Sequence, residues 1–365
     1  MKLPQNCWLL GFSLLAIGST SLLARAQSAD GLPAAALKPY GRAILTKAQQ
    51  LELIGSAVHF GFSFEGTECQ LYATLPGKQD HNYLQYELDG VYQKRIRVAG
   101  AAPLVLTAPR AGHHTIWVYK ATEAHTGPIA IQKITGQQVK ALPVPVAPLI
   151  EFIGNSITCG ALADPSEVPC GTGLYHDQHN AYLAYGPRVA RALKANYVLS
   201  SVSGIGAYRN WNSAGPTMPQ VYEKVDFQAT TPTLWDFSAY APRVVSIALG
   251  TNDLSNGDGK SQRLLFDSAS FVNSYGQFVR LVKAKYPRAR IALLSTPMAS
   301  GQNRTLLEHC LTAIKQQTDA SYPADRPVAT YFYQTARANG CNGHPSVEDH
   351  ALMAKELEPF FRQLL

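Results

Sequence analysis

The sequence predicts an α/β chain: a parallel sheet covered by helices on both faces, preceded by an all-β sandwich. Three observations carry this. Residues from about 40 to 140 run as short alternating apolar and polar segments with turn signals between them and almost no helical period. A stiff connector, "KALPVPVAPL", follows at 140–149. After it, short apolar runs alternate with longer amphipathic segments, which is the pattern of strands joined by helical crossovers.

The first 26 residues stand apart. Lys2 precedes the apolar run "CWLLGFSLLAIG", which is short for a bilayer span, and Ala24-Arg25-Ala26 has the small-residue spacing of a cleavage site. A cleaved signal peptide over 1–26 and a secreted or periplasmic chain are expected; an uncleaved anchor is the alternative. Cys7 precedes the apolar run and does not read as a lipid-attachment site.

The β-domain is expected over 38–142. "SAVHFGFSFEG" and "CQLYATLPG" alternate in period two, and Asp89-Gly90 between "NYLQYEL" and "VYQKRIRV" signals a two-residue hairpin turn. "PLVLTAPRAGHHTIWVYKATE" and "GPIAIQKITG" add further strands. No exposed aromatic row is evident, so this domain is read as a buttress rather than a glycan-binding module.

The second domain is expected over 148–365. "PLIEFIG", "NYVLSSVSG", "RVVSIALGTND", "ARIALLSTP" and "VATYFYQ" read as five buried strands. "AYGPRVARALKA", "ASFVNSYGQFVRLVKAKYP", "RTLLEHCLTAIKQQTD" and "SVEDHALMAKELEPFFRQLL" read as helices. No internal repeat or low-complexity tract appears.

Composition narrows the function. A hydrophobic content of 46% with 16% charged residues describes a packed globular chain rather than a disordered one. Two of its seven net positive charges, Lys2 and Arg25, belong to the leader, and no basic block stands out, so nucleic acid is not an expected partner. Beyond the leader no segment reads as membrane-spanning, and no obligate protein partner is indicated. No C-x-x-C or H-x-x-x-H spacing appears, so neither a metal nor another cofactor is expected. The five cysteines after the leader are an odd number. Cys159–Cys170, flanking one loop, is the favoured disulfide; Cys310–Cys341 is a weaker second; Cys69 reads as a buried thiol.

Ligands of a parallel sheet bind beyond the carboxyl ends of its strands. Those ends carry Gly154-Asn155-Ser156, Ser203-Gly204-Ile205-Gly206-Ala207 and Gly250-Thr251-Asn252-Asp253, and His344 lies just before the last helix. Singly, each has a bland reading: Ser156 as a helix cap, Asn252 and Asp253 as turn and cap, His344 as a loop residue. Together they are the parts of an acyl-transfer site: a hydroxyl nucleophile, a base of suitable pKa, and N–H donors for an oxyanion.

"GNSIT", the glycine block, "GTND" and "HPSVEDH" resemble, in order, the four blocks of the SGNH (GDSL-like) hydrolases, over about residues 148–365. "YGR", "SGIGAYRN", "LWDF" and "GCNGHP" look more narrowly like carbohydrate esterase family 2, whose members are secreted acetyl esterases of plant cell-wall polysaccharides. The resemblance implies a three-layer sandwich after a jelly-roll-like β-sandwich. It also implies removal of acetyl groups from xylan or glucomannan, with acetylated polysaccharide or oligosaccharide as partner. Ser156 would be the nucleophile and His344 the base. The Ser156 amide, a glycine amide and Asn252 would form the oxyanion hole, with Gly206 preferred over Gly204. Many SGNH enzymes place Asp three residues before the histidine; here Cys341 stands there. A Ser–His dyad is therefore expected, with Asp253 or Asp349 as the possible third member. Tyr208, Arg209, Asn210, Trp211 and Trp235 are candidate substrate contacts. The alternatives are a broad SGNH esterase or lysophospholipase, against which the lack of an apolar insertion speaks, and an inactive glycan-binding protein.

Overall fold

The structure is a computed structural model that describes Met1 and residues 31–365 other than 78 and 261. Apart from Met1, the leader expected over 1–26 lies outside the described residues. Among the described residues, no helix is long and apolar enough to cross a membrane.

The first unit is all β. Strands β1 (Leu32–Pro33), β2 (Ala43–Leu45), β3 (Leu51–Leu53), β4 (His59–Thr74), β5 (Asn82–Leu88), β6 (Val91–Val98), β7 (Leu104–Lys120) and β8 (Ile129–Ala141) pair antiparallel in the order β2-β3-β8-β4-β7-β5-β6, with β1 on β8. β4 pairs along its length with both β7 and β8, and register shifts near Gly66 and Tyr72 interrupt the ladders. Phe60, Phe62 and Phe64 point alternately inward from β4 onto Ile116 and Val118 of β7 and Ile129, Ile131 and Ile134 of β8. The expected hairpin is present: Leu88 faces Val91, and Asp89 (φ 51°) and Gly90 (φ 78°) both take the positive φ of a type I′ turn.

The second unit holds the parallel sheet, with strands β9 (Leu149–Gly154), β10 (Asn196–Ser201), β11 (Val244–Ala248), β12 (Arg290–Leu294) and β13 (Ala329–Tyr331) in the order β10-β9-β11-β12-β13. Both faces are covered. Ile153, Ile247 and Leu293 pack beneath α5 (Ser268–Lys285) and α6 (Gly301–Ser321). Ile150, Phe152 and Leu294 pack beneath α2 (Tyr185–Ala192) and α7 (Val347–Leu364). Three single-turn helices complete the unit: α1 (Ser156–Cys159), α3 (Met218–Val221) and α4 (Thr251–Leu254).

The β-unit bolts onto the second through polar side chains. Arg42, the last residue of "YGR", is fully buried; its guanidinium donates to Ser200 Oγ, Tyr222 O and Lys224 O and lies 4.1 Å from the Phe227 ring centroid. Beside it Glu151, on the first strand of the parallel sheet, accepts from Ser200 Oγ (2.6 Å) and Tyr222 OH (3.0 Å). Burial drags the Arg42 pKa down and pushes that of Glu151 up, and their mutual attraction opposes both shifts. Gln85 donates to Asn180 Oδ1 (2.5 Å), Tyr182 OH bonds Glu87, and Arg95 donates to the carbonyls of Asp177 and His179.

Candidate active site

The register of the parallel sheet levels its strand ends. Gly154 faces Ser201 on one side and Ala248 on the other, so Ser156, Gly204 and Asn252 leave the sheet at one rim. Glycine is required at 154 because a Cβ there would stand 2.1 Å from Thr158 Oγ1. The helix cap is Asn155, whose Oδ1 accepts from Ile157 N at 3.1 Å. Ser156 is therefore the first helical residue and its hydroxyl is not spent on capping.

That hydroxyl lies 3.0 Å from His344 Nε2. His344 follows the short turn Cys341–Gly343, which is held to the segment after α1 by Cys341 N–H to Leu162 O and Val347 N–H to Ala163 O. Burial lowers the His344 pKa, and the main-chain carbonyls of Asn342 and Cys341 act against it by favouring the charged ring. Neither carbonyl makes a well-formed bond to the buried Nδ1. With the proton on Nδ1, facing these carbonyls, Nε2 is free to accept from Ser156.

Both carboxylates considered as a third member are engaged elsewhere. Asp349 accepts from Asn339 N, Asn339 Nδ2 and Ser346 N, completing the cap of α7. Asp253 accepts from the amides of Ala207, Tyr208 and Arg209 and so clamps the glycine block.

Asn252 is buried, and its Nδ2 donates to Ile205 O at 2.8 Å, which leaves the second amide proton available. Gly206 and Gly204 differ in their surroundings. The Gly206 amide already donates to Asn210 Oδ1 (3.0 Å), and a Cβ there would meet Arg209 O at 2.0 Å. Gly204 (φ 74°) has open space where a Cβ would stand, and its amide finds no acceptor among the described residues. A groove of about 320 Å³ runs past Gly204, Ile205, Asn210 and Trp211, with His125 of the β-unit on its wall. A larger cleft of about 450 Å³ lies among Arg243, Arg288 and Arg290, at the opposite ends of the strands.

The five candidate substrate residues separate. Trp211 is 44% exposed and lines the groove. Asn210 also lines it, but its Nδ2 is spent on Gly215 O and Pro216 O. Arg209 holds the loop through Asp253 O and Leu264 O, and Tyr208 packs edge-on against Phe266 and Phe271. Trp235 does not stand as a platform: it is 7% exposed, stacks on Tyr240, lies against the Arg42 guanidinium and does not line the groove.

The disulfide is a second correction. Cys170 is bonded to Cys341, across a separation of 171 residues, while Cys159 and Cys310 are free and buried, so neither expected pairing forms. The bridge ties the 170s loop to the turn that presents His344. Cys69 is a buried thiol whose pKa burial pushes up to about 12.

Among the described residues one trio, His81, His176 and Asp177, brings possible ligand atoms within 4.8 Å of one another. Asp177 is already occupied by His81 Nε2, Tyr83 OH and Leu174 N, which suits a hydrogen-bonded junction better than a metal.

Comparison with known proteins agrees with this geometry. Residues 40–145 match the carbohydrate esterase 2 N-terminal family, and residues 152–351 match the GDSL-like lipase/acylhydrolase family. An acetylxylan esterase / glucomannan deacetylase of Cellvibrio japonicus is 28% identical over 70% of this chain and 69% of its own length. The cellulase/esterase CelE of Acetivibrio thermocellus is 31% identical over 81% of this chain, which spans only 35% of that larger protein. Among solved structures, a family two carbohydrate esterase from Clostridium thermocellum in complex with cellohexaose superposes with a TM-score of 0.78 at 27% identity, over 90% of this chain and 98% of that one. With both domain types in order and the esterase blocks on one sheet rim, the chain belongs to the GDSL-like (SGNH) hydrolases and, within them, to carbohydrate esterase family 2.

Proposed function

We propose that this carboxylic ester hydrolase removes acetyl groups from plant cell-wall polysaccharide, xylan or glucomannan, with Ser156 and His344 as a catalytic dyad. The observation that carries the reading is the 3.0 Å contact between Ser156 Oγ and His344 Nε2 at the sheet rim from which the glycine block, whose Gly204 lines a groove, also leaves. In the first half-reaction Ser156 Oγ attacks the acetyl carbonyl carbon while Nε2 takes the hydroxyl proton. The negative oxygen of the tetrahedral intermediate is met by the amides of Ser156 and Gly204 and by Asn252 Nδ2. The intermediate collapses, the bond to the sugar oxygen breaks, and His344 returns the proton to that oxygen. Water, deprotonated by the same imidazole, then attacks the acetyl carbonyl carbon; the bond to Ser156 Oγ breaks, His344 returns the proton to Oγ, and acetate leaves. The Asn342 and Cys341 carbonyls steady the imidazolium in place of a carboxylate, and Trp211 offers an apolar face for a sugar ring. We also propose a cleavable leader over 1–26 and action outside the cytoplasm.

The test is acetate release from acetylated xylan and acetylated glucomannan, alongside activated esters of increasing acyl length. Acetate esters are expected to be cleaved fastest. Faster cleavage of long acyl chains, or no acetate from either polymer, would overturn the reading. Replacing Asn252 with Ala is expected to lower kcat on acetate esters about 10²–10³-fold with KM within about threefold, because its amide acts on charge that exists only in the transition state. An unchanged kcat would remove Asn252 from the oxyanion hole.

A further inference from the structure

Glu123 of the β-unit reaches into the rim of the parallel sheet. It follows β7, is 2% exposed, and touches two of the loops that carry the site. Its Oε2 accepts from Ser203 N at 2.5 Å and from Cys159 Sγ at 3.5 Å. Ser203 precedes Gly204, and Cys159 lies one helical turn after Ser156. We propose that Glu123 is a positioning residue for the Ser156 site, its one carboxylate fixing the nucleophile's helix and the glycine-block amide at a set separation. The inference rests on the reading of Ser156 and Gly204 as nucleophile and oxyanion donor.

Three further observations support it. A carboxylate is expensive to bury, and a β-domain serving only as a support has apolar side chains available for the same space. Burial alone would raise its pKa; the neighbouring His179, with Nε2 3.6 Å from Oε1, and the Ser203 amide outweigh burial and bring it down to about 2, so the carboxylate stays ionised. The segment that presents it is itself held, because the buried Lys120 Nζ donates to the carbonyls of Thr122 (3.2 Å) and Glu123 (2.6 Å). Oxyanion donors work only when their spacing is preset, and a shift of about 1 Å in such a site costs about 10² in rate.

The experiment compares wild type, Glu123→Ala and Glu123→Gln on an activated acetate ester, with kcat expressed per site titrated by a serine-directed phosphonate. Amide hydrogen exchange at Ser203 and Gly204 is followed in parallel. In Glu123→Ala, kcat per titrated site is expected to fall about 10²-fold with KM within about threefold, and exchange at Ser203 to accelerate. Glu123→Gln keeps an oxygen that accepts from Ser203 N and is expected to recover about tenfold of that loss. A merely structural role would reduce the number of titratable sites and leave kcat per site unchanged; that result overturns the proposal. If Glu123→Ala does not fold, Glu123→Gln decides, because a wild-type kcat per site there overturns it equally. If the wild type neither cleaves the ester nor takes up the phosphonate, the esterase reading fails. The exchange data still judge the tether, and unchanged protection at Ser203 refutes it.

Discussion

Ser156→Ala is expected to lower kcat on acetate esters by about a millionfold while the protein stays folded. The magnitude follows from losing the nucleophile of a unit in which no other group can replace it. The retained fold follows from local structure. Asn155, not Ser156, caps α1, and the hydroxyl's assigned contact is His344 Nε2. Removing it deletes no backbone partner, and alanine is the best helix former for a first-turn position. The check is acetate release together with thermal unfolding of both proteins. A variant that keeps more than a thousandth of the wild-type rate would move the nucleophile elsewhere. His344→Ala tests the same unit from the base, and its loss should not add to that of Ser156→Ala in the double variant, since either one alone already disables proton transfer.

Acid is expected to destabilise the fold well before the ordinary carboxylates titrate. His59 and His350 are buried, and burial, as the leading cause, holds their pKa values down to about 4 and about 3. His59 donates from Nδ1 to Ala57 O at 2.9 Å; His350 Nδ1 accepts from Tyr185 N at 3.2 Å, and its Nε2 has no partner among the described residues. Below the unfolded histidine value of about 6.5 the unfolded chain takes up these protons while the folded chain refuses them. Stability therefore rises with pH across this window and falls as pH drops, by about 1.4 kcal/mol per unit for each group. Between pH 6.5 and 5 the pair removes about 3 kcal/mol, the slope reaching its full value only below pH 6.5. His344, lowered in the same direction, adds to the loss, while Glu151 and Asp253, whose carboxyls burial raises, work against it. His350→Asn isolates one contribution. Urea unfolding at pH 6.5 and 5 should show the wild type losing about 2 kcal/mol more than the variant, and identical losses would refute the assignment.

The parts of the molecule legible in its sequence are those written in local pattern. The inward Phe60, Phe62 and Phe64, the turn at Asp89-Gly90, and buried runs ending on Gly154 and Gly250 each depend on residues within a few positions of one another. Because a parallel sheet brings its strand ends to one rim, that pattern also indicated that Ser156 and Asn252 would leave the sheet on the same side. His344 and the family came from the ordered motifs rather than from any single residue.

What the sequence left open depends on partners far along the chain. Cys341 bonds Cys170 rather than a nearer or more symmetrical candidate, because packing brings the His344 turn over the 170s loop. Trp235 read as a platform near the motifs, yet the buried Arg42 from the other unit draws it into the junction. Gly206 and Gly204 are equivalent as letters; Asn210 and Asp253 separate them by occupying the space and the amide at 206 and leaving 204 open. Glu123 gave no local signal at all, standing in a strand-end segment of the β-domain with no motif around it. By itself the sequence determined the two sheet types, the strand ends and the residue types that meet there, since these follow from periodicity and backbone chemistry. Only the tertiary structure decided which glycine amide is left unpaired, which cysteines pair and which carboxylate reaches the Ser203 amide, because hydrogen-bond and covalent partners are chosen by three-dimensional packing between segments far apart in the chain.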